Sequence, residues 1–345
     1  MNAAQVKSIA LACGFELAGI ASADPPADFE RYRRWIERGN AGEMGYLAGR
    51  RAEIRADVQK LLPGAKSVIS VGKLYNFPAE SVPPGHGIVS KYARGPDYHD
   101  TMRAALERVA ARLQEIEACE VKICVDTSPV LERTFARLAG LGWIGKNTCL
   151  INEPQGSWFF LGELITTLEL EVDAPPPDRC GMCSRCIDAC PTEAIVPEGD
   201  HWTIDSRRCI AYFTIELRGP IPEDHRAAMG MHIFGCDICQ DVCPWNSRAP
   251  VVSGNFSESA YFLADLANLS EADFHLRFWN SAIGRPKYSG FLRNTAVAMG
   301  NCGLEGMREP LERLAAHSDP MVAEHARWAL RRLRETGEVC RGSCG

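Results

Sequence analysis

A chain of 345 residues, 46% of them hydrophobic and 24% charged, can bury two or three separate cores and has the composition of an ordinary globular protein. Its net charge of −6 argues against capture of nucleic acid by bulk charge, so such a partner would need a local basic patch. No apolar run approaches the roughly 20 residues of a membrane span, and the N-terminus has no signal-peptide pattern, so we expect a cytoplasmic protein.

The first 125 residues alternate between helix and strand patterns. Amphipathic helices are predicted over residues 4–13, 28–38 and 100–117, and buried strands over FELAGIAS (15–22), SVISV (67–71) and VKICV (121–125). Asp28 is the predicted N-cap of the second helix. A group of arginines in this part forms either a solvated face or a phosphate-binding one: Arg31, Arg33, Arg34, Arg50, Arg51 and Arg55.

The stretch VDTSPVLERTFARLAGLGWIGKN (125–147) follows the third strand. Ser128 suits an N-cap and Pro129 a first helical turn, which predicts a helix from about Pro129 to Leu138. Asp126 then lies between a strand and a helix, where site residues often occur, although an acid at this position is also often only a cap. The glycines of GLGWIGKN and of EPQGSWFFLGEL suit either a large cofactor or two hairpin turns.

Cysteines dominate the next segment, from residue 180 to residue 244. The run CGMCSRCIDACP has the C-x2-C-x2-C-x3-C-P spacing in which the fourth cysteine ligates the other of two iron-sulfur clusters. We therefore predict one 4Fe-4S cluster on Cys180, Cys183, Cys186 and Cys243, and a second on Cys190, Cys209, Cys236 and Cys239. The second motif, GCDICQDVCP, lacks one cysteine, and Cys209 is the nearby thiol that can replace it. The alternative is a pair of structural zinc sites.

A run of prolines at 175–177 precedes the cysteines, whose domain is predicted to end near Pro250, and from about Ser257 the chain is predicted to be mostly helical. The segment SDPMVAEHARWAL (318–330) is similar to a HEAT-type repeat. Its helix carries a basic edge that either is solvated or contacts RNA phosphates: Arg327, Arg331, Arg332 and Arg334. No role is evident for Cys340 and Cys344.

Taken together, these motifs resemble those of the epoxyqueuosine reductase family. The resemblance rests on the stretch 125–147, on GSWFFLGEL (156–164), on YARGPDYH (92–99), on both cysteine motifs and on the HEAT-like tail, in that family's order over nearly the whole chain. It implies an α+β protein of three domains: a nitroreductase-like cobalamin-binding domain (1–172), a dicluster ferredoxin-like domain (173–252) and a HEAT-like α-helical domain (253–345).

The resemblance also implies a reaction, the reduction of epoxyqueuosine to queuosine at the wobble position of a tRNA anticodon, the last step of queuosine biosynthesis. An external low-potential donor would reduce cobalamin through the two clusters. Asp126 falls on the family's proton donor, and burial beside the corrin would keep it protonated. The other expected cobalamin contacts are Arg55, Lys146, Asn147, Ser157, Gly162 and Thr214. We expect a monomer that binds tRNA and no membrane.

Two departures and two rival functions qualify this assignment. Some family members carry a cysteine near the segment that begins at Tyr92, but Tyr92–Gly95 reads YARG and has no thiol. No DxHxxG motif is present, which favours cobalamin without a protein histidine below the cobalt.

The rivals are a reductive dehalogenase, which usually carries a twin-arginine signal, and a ferredoxin-like carrier with a helical appendage. The sequence leaves open which cluster lies nearer the cobalt.

Overall fold

The computed structural model describes residues 1–78, 80–253, 256 and 259–342, with side chains as far as residue 335. The side chains of Cys340 and Cys344 lie outside this description. The strands are β1 (Leu17–Ser22), β2 (Ser67–Leu74), β3 (His86–Val89), β4 (Val121–Cys124), β5 (Trp143–Ile144), β6 (Leu150–Ile151), β7 (Phe159–Thr166), β8 (Ile195–Glu198), β9 (His201–Ile204), β10 (His232–Phe234) and β11 (Ala260–Phe262).

The helices confirm the mixed α+β class predicted from the sequence. They are α1 (Ala3–Ala12), α2 (Phe29–Glu37), α3 (Arg50–Arg55), α4 (Tyr98–Ile116), α5 (Glu132–Leu138), α6 (Arg185–Asp188), α7 (Ile210–Ile215), α8 (Glu223–Arg226), α9 (Ile238–Asp241), α10 (Leu263–Ala267), α11 (Glu271–Arg277), α12 (Lys287–Cys302), α13 (Arg308–Ala315) and α14 (Pro320–Gly342). Across the described ranges, none of them has both the length and the apolar character that a bilayer span requires.

A four-stranded antiparallel sheet in the order β1-β2-β7-β4 organises the N-terminal half. Successive side chains of a strand point to opposite faces. Ile69 of β2 therefore packs in the core formed with α1 and α4, whereas Val68 packs in the core formed with α5. Because helices cover both faces, the strand reads as a continuous apolar run, as SVISV predicted.

The helix α4 brings one end of this layer toward the later segments. The Asp97 carboxylate caps it by accepting the N–H of His99 at 3.0 Å. Leu106, Val109 and Leu113 recur at helical spacing on its buried face. The helix begins two residues before the predicted start, so His99 lies in its first turn.

The predicted start of α5 is wrong. The helix begins at Glu132 with Leu131 at the N-cap, and Ser128 caps nothing. The backbone of Asp126 has a φ of 43°, in the left-handed region, and the N–H of Val130 donates to the carbonyl of Ser128 at 2.8 Å. Pro129 and Val130, which the sequence pattern predicted to lie in the helix, therefore belong to a turn that precedes it.

The two cysteine motifs form similar units that lie side by side. Each is a loop followed by a one-turn helix, α6 in the first motif and α9 in the second, and these two helices contact each other. The hairpin of β8 and β9 follows the first motif, with Ile195 paired to Ile204. The arrangement allows a cysteine from each motif to reach the other.

A second sheet joins the three predicted domains. Its central strand β3 pairs in parallel with β10 and antiparallel with β11. The largest core likewise combines Val89, Phe234 and Phe291. This core crosses the boundary predicted near residue 252 and includes Val89 of the first predicted domain, whereas the buried residues of the two cores beside the central sheet all lie within residues 1–172.

A buried arginine fixes the C-terminal helices to the cluster segment. Arg293 of α12 is fully buried and donates to the carbonyls of Phe213 at 2.6 Å, Leu217 at 3.0 Å and Gly219 at 2.6 Å. Burial lowers the pKa of its guanidinium to about 10, so it stays charged at neutral pH. These bonds satisfy one carbonyl in the last turn of α7 and two in the segment that follows it.

Replacing Arg293 with methionine should destabilise the protein strongly. The apolar side chain fills similar space but leaves three buried carbonyls without their donor, a loss of about 3 kcal/mol in the free energy of unfolding. The check is the midpoint of urea unfolding followed by circular dichroism. The exposed Arg112→Met in α4 is the matched control and should leave the midpoint unchanged; equal midpoints for both variants would contradict the role of Arg293.

Candidate active site

A cavity of about 960 Å³ lies between the N-terminal layer and the C-terminal helices. Its walls combine aromatic rings and charged groups from distant parts of the chain, among them Tyr32, Trp35, Tyr46, Arg51, Arg55, Tyr92, Tyr98, His99, Asp126, Glu132, Arg133, Glu216, Arg285 and Lys287. This volume is at the upper end of ordinary ligand pockets. The cavity therefore suits a large cofactor together with the reacting part of a substrate.

Asp126 enters this cavity from the end of β4. Its Oδ2 lies 3.1 Å from Nε2 of His99, and Nδ1 of the same ring lies 2.6 Å from Oδ1 of Asp97. Its backbone N–H donates to Oε1 of Glu132 at 2.5 Å. Because a left-handed backbone is unfavourable for a residue with a Cβ, these contacts hold Asp126 in a conformation that it would not adopt alone.

Asp126 and His99 keep each other charged. Burial works to raise the pKa of Asp126, but the hydrogen bond and charge of His99, with the charge of Arg285, outweigh burial and lower that pKa below its usual value. The hydrogen bond to Asp126 leads the causes that raise the pKa of His99 to about 9, while burial opposes it. Both pKa shifts favour the proton of the pair on His99. The expectation that burial beside the corrin keeps Asp126 protonated stays a prediction.

Tyr98 completes the surroundings of this pair. Its ring stacks on Phe160, with centroids 4.3 Å apart, and on His99, with centroids 4.2 Å apart. Its hydroxyl contributes a hydrogen bond to Asp126. Burial raises the pKa of Tyr98 well above the usual value, so the hydroxyl stays protonated and can donate. Tyr98 and His99 belong to the motif YARGPDYH, but nothing in the sequence alone indicates this role.

The opposite wall contains residues that the sequence analysis missed. Arg285 lies 2.8 Å from Oε1 of Glu216, and its guanidinium lies 5.8 Å from the ring centroid of Tyr46. Burial and the charge of Glu216 raise the pKa of Tyr46 to about 12. No local motif marks these residues, because three separate segments bring them together.

Two of the predicted cobalamin contacts, Arg55 and Asp126, line the cavity. The guanidinium of Arg55 lies 5.8 Å from the ring centroid of Tyr32, and burial lowers its pKa. Arg51, one turn earlier, donates a hydrogen bond to the carbonyl of Thr127. Arginines of the predicted basic group thus border the Asp126 turn.

Lys146 and Asn147 are not among the residues that line this cavity. The ammonium of Lys146 donates to the carbonyls of Gly181 at 2.7 Å and Cys183 at 2.9 Å. The amide of Asn147 donates to the carbonyl of Cys239 at 3.2 Å. Both side chains thus fasten the loop 145–149 to the cysteine motifs, and their predicted contact with cobalamin finds no support in the cavity walls.

The same holds for Ser157, Gly162 and Thr214. The hydroxyl of Ser157 donates to Oε1 of Gln240 at 2.9 Å. A Cβ on Gly162 would lie 3.0 Å from side chains of α4, so this glycine allows the sheet and helix to pack closely. The hydroxyl of Thr214 is fully buried and donates to the carbonyl of Ile210 at 2.8 Å. These three residues have structural contacts that account for them.

Four thiols of the predicted first cluster converge in the structure. Cys180, Cys183, Cys186 and Cys243 line one small cavity beside Trp245. Cys243 comes from the second motif, so the crossed arrangement is present. A set of four thiols suits a 4Fe-4S cluster. Among the described residues, no three His, Cys, Asp or Glu side chains are placed to hold a single metal ion.

The thiols of the predicted second cluster also gather, and a fifth cysteine joins them. Burial raises the pKa of Cys236 to about 12, and the charges of Cys209 and Cys190 contribute. Cys239 hydrogen-bonds to Cys149. Cys149 lies outside both cysteine motifs and contacts Cys239 only in the folded chain, so the cysteine spacing gives no sign of this contact.

The structure orders the two cysteine sets relative to the large cavity. In the first set Cys183 is exposed, and its neighbour Met182 is fully exposed. In the second set Cys149 feels the charge of Arg133, which lines the cavity and donates to the carbonyl of Thr148 at 2.9 Å. The second set is therefore the inner one, a point that the sequence left open.

Two family models match the chain. One is described as "4Fe-4S double cluster binding domain" and matches residues 179–246, and the other is described as "Epoxyqueuosine reductase QueG, DUF1730" and matches residues 55–127. The chain is 41% identical over 341 residues to the epoxyqueuosine reductase of Xanthomonas campestris, covering 95% of each protein. It is 44% identical to that of Gloeobacter violaceus, covering 88% of this chain and 97% of the relative.

Solved structures agree with these relatives. The epoxyqueuosine reductase of Streptococcus thermophilus superposes with a TM-score of 0.89 at 28% identity, over 96% of this chain and 90% of that one. An epoxyqueuosine reductase bound to an epoxyqueuosine-modified tRNA-Tyr stem loop gives 0.84 at 27% identity, over 96% and 89%. The Bacillus subtilis enzyme with its catalytic aspartate loop swung out of the active site gives 0.85 at 27%, over 96% and 90%.

The ion pair predicts an unusual titration of His99. Its imidazole should stay protonated past pH 8 and titrate near 9, and Asp126→Asn should return its pKa toward the ordinary value of about 6.5. Since the folded pKa is the higher one, the pair stabilises the fold fully below about pH 6.5 and ceases to do so as the pH rises through about 9. Nitrogen-15 NMR of labelled histidine measures this titration.

The control for that titration is Asp100→Asn in the same helix turn, which should leave the titration of His99 unchanged. A pKa of His99 near 6.5 in the unmodified protein would refute the ion pair.

Proposed function

The chain belongs to the epoxyqueuosine reductase family, and from this membership we propose that it reduces epoxyqueuosine to queuosine at the wobble position of a tRNA anticodon, the last step of queuosine biosynthesis. The observation that carries the proposal is the placement of Asp126, paired with His99, in a large cavity next to the inner set of cysteine thiols. A proton source and an electron route thus meet at one place.

Electrons enter through the cysteine segment. The eight predicted ligands hold two 4Fe-4S clusters, the first on Cys180, Cys183, Cys186 and Cys243 and the second on Cys190, Cys209, Cys236 and Cys239. The first set would hold the cluster nearer the surface, since that loop carries the exposed Met182, and the second set would hold the cluster nearer the cavity. When bound, the two clusters would supply a route for single electrons from an external low-potential donor. This order follows because Met182, beside the first set, is exposed, whereas Arg133 links the second set to the cavity.

The large cavity is where cobalamin binds. Its volume and its aromatic walls, including Tyr32, Trp35 and Tyr98, suit a flat macrocycle, and Arg55 can bind a polar substituent. When bound, cobalamin supplies reduced cobalt as a nucleophile toward the epoxide. The residues of the chain position the modified base and exclude water from it.

Asp126 and His99 supply a proton to the epoxide oxygen. Conversion of the epoxide to an alkene consumes two electrons and two protons and releases the oxygen as water. His99 holds a proton against Oδ2 of Asp126 at 3.1 Å, so the carboxylate can take this proton as negative charge develops on the oxygen. The Asp126 carboxyl then donates at the oxygen.

The tRNA binds at the open side of this cavity. Arg51, Arg285 and Lys287 supply positive charge there, which a chain of net charge −6 provides only locally. We also assign phosphate contact to the basic edge of α14, although Arg331 lies 3.2 Å from Glu223.

The helices α13 and α14 form a HEAT-like pair, with Asp319 accepting the N–H of Met321 at 2.9 Å. The protein acts as a cytoplasmic monomer.

Replacing Asp126 with asparagine should abolish turnover and leave binding intact. The amide cannot donate an acidic proton, and loss of a general acid costs about 100-fold or more in rate. The assay uses anaerobic protein with reconstituted clusters, cobalamin, a low-potential reductant and tRNA carrying epoxyqueuosine, read by nucleoside mass spectrometry. The exposed Asp224→Asn in α8 should retain full activity. Full activity of Asp126→Asn would remove Asp126 from the mechanism.

Replacing Cys209 with serine should remove one cluster. Iron content should fall from about eight to about four atoms per chain, because one cubane loses a ligand. Iron analysis together with electron paramagnetic resonance measures this loss. The partly exposed Cys119→Ser is the control and should keep all the iron. Full iron in Cys209→Ser would point to Cys149 as the ligand instead.

A further inference from the structure

The proposed reaction needs two protons, and Asp126 with His99 holds one of them. The first proton reaches the epoxide oxygen as the first C–O bond breaks, which leaves a hydroxyl on the ring. The second proton converts this hydroxyl into water as the second C–O bond breaks, while two electrons from the external donor form the alkene. A second acidic group facing the same cavity would complete the proton balance.

Glu132 is placed to be that group. It is the first residue of α5 and lines both the large cavity and a neighbouring one of about 170 Å³. Its Oε1 accepts the backbone N–H of Asp126 at 2.5 Å. That bond occupies one oxygen and leaves Oε2 to carry a proton. The two carboxyls therefore sit on the same turn and open into the same space.

The sheet beneath Glu132 contains another carboxyl. Glu163 of β7 is fully buried, and among the described residues neither of its carboxyl oxygens has a hydrogen-bond partner. Its neighbours across the sheet are Ser70, whose hydroxyl is also without a partner, and Cys124. An unpaired charge at such a position would be very costly, so Glu163 is neutral.

Burial, together with the charge of Asp126, raises the pKa of Glu132 as well. Burial and then the charge of Asp126 raise the pKa of Glu132 to about 7, against the lowering effects of its hydrogen bond to Asp126 and of the charges of Arg133 and His99. Glu132 in turn contributes to the raised pKa of Glu163 after burial. The remaining groups that face it are Tyr98, Cys124 and Arg55.

We propose that Glu132 supplies the second proton of each turnover, the one that turns the ring hydroxyl into the departing water, while Asp126 supplies the first. This inference rests on the proposed function. Asp126 and Glu132 then supply one proton each. Asp126 passes on the proton that His99 holds, and Glu132 delivers a proton that it takes up again from solvent between turnovers.

The test compares Glu132→Gln with the unmodified protein. Glutamine keeps an oxygen that accepts the N–H of Asp126 but cannot supply the proton. We expect turnover to fall about 100-fold with tRNA binding unchanged. In the unmodified protein activity should decline as the pH rises through about 7, because Glu132 must be protonated, and this decline should be absent in Glu132→Gln. The exposed Glu107→Gln in α4 is the control.

A second measurement does not depend on activity. Infrared difference spectra between pH 5 and pH 9 should show a protonated carboxyl that titrates near 7 and is missing from Glu132→Gln. Glu132→Asp, which keeps the acid, should keep the pH-dependent decline. If Glu132→Gln does not fold, a decline retained by Glu132→Asp supports the proposal, and its loss overturns it.

The outcomes separate the two levels of the argument. An unmodified protein that fails to convert epoxyqueuosine overturns the proposed function, and the infrared titration then decides on Glu132 alone. An active protein whose Glu132→Gln variant keeps full rate and the same pH dependence overturns the inference. Full rate in Glu132→Gln with loss in Glu132→Ala would show that Glu132 only positions Asp126.

Discussion

The hydrogen bond between His99 and Asp126 is the contact on which the site depends. It joins the first turn of α4 to the end of β4, two elements whose positions the central sheet already fixes. Asp126 adopts a left-handed backbone, which costs about 1–3 kcal/mol for such a residue. Glu132 offsets this cost by accepting the N–H that the turn would otherwise leave free. Residues in the first turns of α4 and α5 thus hold Asp126 in place, so a small movement of either helix would move its carboxyl group.

The carboxyl groups of this region differ in pKa because their surroundings differ, more than because of their residue types. His99 lowers the pKa of Asp126 against the effect of burial, whereas burial and then the charge of Asp126 raise the pKa of Glu132 to about 7. Burial raises the pKa of Glu163 well above its usual value, and this carboxyl has no hydrogen-bond partner among the described residues. Three carboxyls within one layer of the fold therefore span the range from charged to uncharged. Such separation allows acid and base steps to proceed at one pH.

Shared packing fixes the distances along the electron route. The strand β3 pairs with strands from two later segments, and Arg293 fastens α12 to the end of α7 by three hydrogen bonds. A chain of three domains on flexible linkers would let the clusters move relative to the cavity. Here the cysteine motifs lie in a continuous core with both neighbours, so the relative positions of the two thiol sets and Asp126 are set by burial.

The sequence by itself identified the family and the central strands, and it predicted the crossed cysteine assignment and a role for Asp126, because spacing, periodicity and motif order are properties of neighbouring residues. Local propensity placed an N-cap at Ser128, but the contact of Asp126 with Glu132 and His99 forms a turn there instead. The tertiary structure alone decided that Arg285 and Glu216 line the cavity, that Cys149 joins the inner thiols and that His99 lies beside Asp126. These features depend on distances between groups far apart in the chain, and electrostatic interactions and burial act through space rather than along the sequence.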